Sequence, residues 1–88
     1  MEHRLDVSML EPCEPLERTL EAIGHLGQGD YLRVIHRREP NLLYPLLKEA
    51  GFDWQCCRDV DCGFQIFIWR QGDRTAEMTA AGEFIGPC

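Results

Sequence analysis

The chain has 88 residues, enough for one domain with one modest core and too few for a catalytic cleft between two lobes. Acidic residues outnumber basic ones 15 to 9, for a net charge of −6. That balance argues against nucleic acid as a direct ligand, which a basic surface would attract. The apolar runs are only a few residues long, and neither a signal sequence nor a lipidation motif is apparent, so a cytoplasmic protein without membrane attachment is expected. Five cysteines (Cys13, Cys56, Cys57, Cys62, Cys88) are odd in number and irregular in spacing; most are expected to be reduced thiols rather than parts of a disulfide framework.

Arg4 to Ser8 alternates Leu5 and Val7 with polar residues and reads as a first strand. The stretch Leu10 to Leu26, LEPCEPLERTLEAIGHL, opens with two prolines around Cys13 and passes into an amphipathic helix. Pro15 suits the first helical position because its φ is fixed and its missing N–H needs no partner there. Glu14, Glu17 and Glu21 add negative charge near the positive end of the helix dipole. Leu16, Leu20, Ile23 and Leu26 form the apolar stripe, so the helix is expected to run from about Pro15 to about Leu26. Gly27, Gly29 and Asp30 then supply a turn.

Tyr31 to His36, YLRVIH, is a second strand with Leu32 and Val34 on one face and Tyr31, Arg33 and Ile35 on the other. Pro40 holds Glu39 extended, which keeps the strand from running straight into a helix. Asn41 is the expected N-cap of a second helix whose stripe is Leu43, Leu46, Leu47 and Ala50, with Pro45 tolerated in its first turn and Gly51 as its stop. Phe52 to Asp59 and Phe64 to Arg70 form an antiparallel hairpin about Asp61, Cys62 and Gly63. Residues 72–88 show no sustained period and are expected to be a mobile tail on a domain of residues 1–71, although Phe84 and Ile85 have the means to dock.

The order strand, helix, strand, helix, strand, strand predicts an α/β (α+β) two-layer sandwich, with both helices on one face of a four-stranded mixed sheet. The other face is then expected to be open, carrying Tyr31, Arg33, Ile35, Phe67 and Trp69, and so many apolar side chains there suggest a protein partner or a weak homodimer.

A Leu5-Asp6-x-x-x-Leu10 strand that leads into a proline-flanked turn and a helix resembles the TusA-like (SirA-like) superfamily of small bacterial proteins. More closely, the run LEPCEPLERTLEAIGHLGQGDYLRVIHRREPNLLYPLL and the later Ile68-Trp69-Arg70 look like the family grouped as domain of unknown function 2249. The likeness covers about Leu5 to Arg70 and implies the same two-layer fold. In the sulfur-carrier branch a Cys-Pro-x-Pro motif stands at this turn, and its cysteine carries sulfur as a persulfide toward acceptors such as transfer RNA. Alignment on Leu10, Glu14 and Pro15 puts Pro12 where that cysteine belongs, so the thiol of Cys13 is displaced by one residue. The other branch stands alone or beside hemerythrin-like or cupin domains, which implies redox or metal physiology.

Three functional readings follow. The first is a non-enzymatic binding or carrier module in sulfur or redox metabolism, partnered by a desulfurase or by a redox or metal-binding protein. The second is a sulfurtransferase that carries persulfide on Cys13. A helix N-terminus favours the Cys13 thiolate, while Glu11, Glu14 and Glu17 favour the thiol; the alternative role for Cys13 is simply to fill the turn. The third is an anion-sensing module using His36, Arg37 and Arg38, where the carboxyl end of a strand meets a helix start; the alternative is that the arginines pair with surface glutamates. No cofactor is expected. Adjacent cysteines in a strand point to opposite faces, so Cys56 and Cys57 lack metal-ligand spacing, whereas Cys57 and Cys62 are placed to meet across the turn.

Overall fold

A computed structural model describes residues 2–7, 14–59 and 63–83. Seven elements follow in order: β1 (Glu2–Asp6), α1 (Glu14–Ile23), β2 (Tyr31–His36), α2 (Leu43–Ala50), β3 (Phe52–Asp59), β4 (Gly63–Arg70) and α3 (Arg74–Ala81). The strands form one mixed sheet in the order β1-β2-β4-β3. β1 and β2 are parallel, with Leu5 opposite Val34, while β4 is antiparallel to both β2 and β3. This is the mixed α+β sheet that the order of elements implied.

α1 begins at Glu14 and ends at Ile23, three residues before the expected stop. Gly24, His25 and Leu26 donate their N–H groups to Glu21, Ala22 and Ile23, a tightening of the final turn onto carbonyls three residues back. Ile23 and Leu26 are buried as expected, and Thr19 joins them. α2 has no side-chain cap: Leu42, not Asn41, occupies the N-cap position. Its end is sharper, because Gly51 at φ 86° adopts the left-handed conformation and returns its N–H to Leu47 and Lys48 carbonyls. Both helices lie on one face, where Leu32, Val34, Ile66, Ile68, Leu43, Leu47 and Phe52 make the main core.

The second face corrects the expectation of an open sheet. α3 covers it, packing Ala76 and Ala80 with Tyr31, Phe67, Trp69 and Cys57 in a second core. Tyr31, Phe67 and Trp69 are therefore buried rather than exposed, and Ile35 is half-buried. Arg33 is also largely covered: its guanidinium lies 5.0 Å from the Phe67 ring centroid, 3.2 Å from Glu2 and 3.4 Å from Glu83. The stretch read as a tail thus contains a packed helix, while Phe84 to Cys88 lie outside the described residues. Its buried stripe is alanine only, which contributes little to any apolar period and so left no pattern in the sequence. The start of α3 is capped by Asp73, which accepts from Ala76 N–H at 3.1 Å.

Cys57 is fully buried and disulfide-bonded, so it is not among the reduced thiols.

A groove between the first helix and the end of the second strand

The residues expected to form an anion site lie where β2 ends. A would-be Cβ on Gly63, at φ 90°, would sit 2.8 Å from the His36 carbonyl oxygen, so only glycine lets the start of β4 press against this point. Just beyond, a groove of about 490 Å³ opens between Leu16, Glu17 and Thr19 of α1 and the run His36 to Leu43, Arg37 excepted. Of the three residues singled out, His36 and Arg38 share the groove and Arg37 does not. Cys13 lies outside the described residues; Glu14, the next in sequence, begins the helix that forms one wall.

His36 folds back on its own loop: its Nδ1 accepts the Arg38 backbone N–H at 3.1 Å. Burial, reinforced by the Arg37 and Arg38 guanidinium groups, holds its pKa below the ordinary 6.5. The ring is therefore neutral at pH 7, and with Nδ1 acting as acceptor its proton resides on Nε2. The groove thus contains one neutral imidazole, one guanidinium, the Glu17 and Glu39 carboxylates and apolar lining from Leu16, Pro40 and Leu43. Leu42, 83% exposed, stands at its rim.

Glu39 joins the groove to a polar cluster behind it. Its Oε2 accepts the Tyr44 hydroxyl at 3.2 Å, and the Tyr44 ring stacks on Trp54 with centroids 5.1 Å apart. The half-buried Cys56 thiol lies beside the Tyr44 hydroxyl. Burial pushes the Tyr44 hydroxyl far above its usual range, and burial together with the nearby Glu39 carboxylate pushes the Cys56 thiol up. Cys56 is thus a neutral thiol at pH 7 and a weak nucleophile. Among the described residues no three His, Cys, Asp or Glu side chains are grouped to hold a metal ion.

Sequence reasoning missed Thr19, Tyr44 and Cys56. Thr19 had a signal, since it lies three residues after Leu16 and four before Ile23, on the same helical stripe. The Tyr44 to Cys56 contact had none, because it joins α2 to β3 across residues twelve apart that only the packing brings together.

Fold and groove define a class: a small α+β protein with a partly apolar groove at the carboxyl end of a central strand. The chain belongs to the family described as uncharacterized conserved protein (DUF2249), whose model matches residues 4–70, more than half of its length. No curated protein and no solved structure matches the chain. No helix among the described residues is long and apolar enough to cross a membrane.

Proposed function

We propose that this protein is a non-enzymatic binding or carrier module of the TusA-like kind, acting in the cytoplasm in sulfur or redox metabolism, with the groove beside His36 and Arg38 as its working surface. The observation that carries this reading is the makeup of the groove. An Nε2–H donor and the Arg38 guanidinium offer contacts for an anionic group beside apolar lining, while Glu17 and the Tyr44-bonded Glu39 line the same groove and suit a ligand or partner loop that also carries a hydrogen-bond donor. Its position supports the same reading, since anions collect where the carboxyl end of a strand meets the start of a helix. The partner is a desulfurase or a redox or metal-binding protein, met by a monomer or weak homodimer.

The test is a thermal-shift titration with phosphate and with short-chain carboxylates, on the native chain and on Arg38→Glu. A ligand-induced rise in Tm that disappears in Arg38→Glu supports the groove; an equal rise in both refutes it.

A persulfide-carrying role for Cys13 is the second reading, supported by the start of α1 at the next residue. Incubation with a cysteine desulfurase and free cysteine, followed by mass spectrometry, decides it. One added sulfur that vanishes in Cys13→Ser supports the carrier, and an unmodified chain removes it.

A further inference from the structure

We propose that the groove between α1 and the end of β2 takes a free α-amino acid with an apolar side chain, an inference that rests on that groove being the working surface. Its two walls carry opposite charges. The Arg38 guanidinium and the His36 Nε2–H belong to the wall at the end of β2, and the Glu17 carboxylate belongs to the facing wall on α1. Among the described residues neither Arg38 nor Glu17 forms an ion pair, so the two charges line one groove without neutralising each other. Glu39, the groove's other carboxylate, already accepts the Tyr44 hydroxyl at 3.2 Å, which makes Glu17 the carboxylate with no partner of its own.

That arrangement selects for a ligand with both charges. A simple anion satisfies Arg38 but sets its charge against Glu17, and a simple cation satisfies Glu17 at the expense of Arg38. A carboxylate and an ammonium on one carbon atom satisfy both walls together, through charge-assisted hydrogen bonds. Two opposite charges so close to each other belong to a free amino acid and not to the neutral amides of an internal peptide segment.

The rest of the lining sets the side chain. Leu16 on one wall, with Pro40 and Leu43 on the other, leaves a polar side chain without partners, whereas an aliphatic one releases water from both walls. The volume of about 490 Å³ lies within the range of pockets that hold small ligands.

Isothermal titration calorimetry of the full chain with L-leucine at pH 7 tests the proposal. Three analogues each remove one feature: leucinamide lacks the carboxylate, 4-methylvalerate the ammonium and glycine the apolar side chain. Each should bind about tenfold more weakly than leucine, or worse. Arg38→Glu and Glu17→Gln, both at exposed positions, should each weaken leucine by a similar factor, while Arg37→Glu makes the same charge change outside the groove and should leave leucine binding as it was. If 4-methylvalerate binds as tightly as leucine and is lost in Arg38→Glu, the zwitterion is wrong and the groove stands as an anion site. Equal weakening of leucine by Arg37→Glu and Arg38→Glu overturns the proposal. Absence of leucine binding overturns it too, and the phosphate thermal shift then decides the groove: a rise in Tm lost in Arg38→Glu keeps it, and an equal rise in both chains removes it.

Discussion

The Asp73 carboxylate accepts the Gly29 backbone N–H at 2.7 Å, across 44 residues of sequence. The same carboxylate caps α3 through Ala76, so one side chain both starts the helix and ties that start to the turn that opens β2. Both N–H groups, Gly29 first, hold the carboxyl below its ordinary 3.8. Asp73→Ala should lower Tm by several degrees and Asp73→Asn by less, because the amide oxygen still accepts. An unchanged Tm in Asp73→Ala would show that α3 docks without its cap.

His36 gives the domain a pH dependence of definite sign. Its folded pKa lies below 6.5, so the unfolded chain binds the proton more tightly. The stability that follows is complete above 6.5 and is lost as pH falls from there through the folded value. The lowered Asp73 carboxyl acts in a separate window, with stability present above 3.8 and lost below it. Tm should therefore fall between pH 7 and pH 5, and His36→Gln should flatten that slope. A slope of the same size in His36→Gln would assign it to other groups.

Gly63 and Gly72 separate two causes of strain. Both have positive φ, 90° and 84°, but only at Gly63 would an added Cβ strike the backbone, at the His36 carbonyl. Gly63→Ala should cost about 2–4 kcal/mol and Gly72→Ala about 1 kcal/mol in urea unfolding, the difference being the collision beyond the backbone penalty. Equal costs would mean that the start of β4 shifts freely away from β2.

Ala80, on the inner side of α3, is fully buried against the aromatic face. Ala80→Leu should destabilise by about 1–3 kcal/mol through overpacking, whereas Thr79→Ala, at an exposed site, should change stability by less than about 0.5 kcal/mol. A neutral or stabilising Ala80→Leu would place α3 further from the sheet than its contacts indicate.

The strands, the hairpin and the two helices of the main core were legible because each carries a local period: two for YLRVIH and FQIFIWR, near 3.6 for Leu16 to Ile23 and for Leu43 to Leu47. The mixed sheet followed from the order of those elements and the preference for right-handed crossovers. The start of a helix just after Cys13, and the placement of His36 and Arg38 at a strand end, were readable for the same local reasons.

Tertiary packing decided the rest. Whether Tyr31, Phe67 and Trp69 face solvent depends on an alanine-faced helix that is stable only where it docks, so its own sequence carries almost no signal. The links of Asp73 to Gly29 and of Glu39 through Tyr44 to Cys56 join residues whose neighbours along the chain do not announce them. The amino-acid sequence by itself determined the four strands and the two helices of the main core, and their order, because those depend on local periodicity and chain stereochemistry. Only the folded structure decided what covers the second face and which side chains meet in the groove, because contact between distant segments is settled by shape and burial across the whole domain.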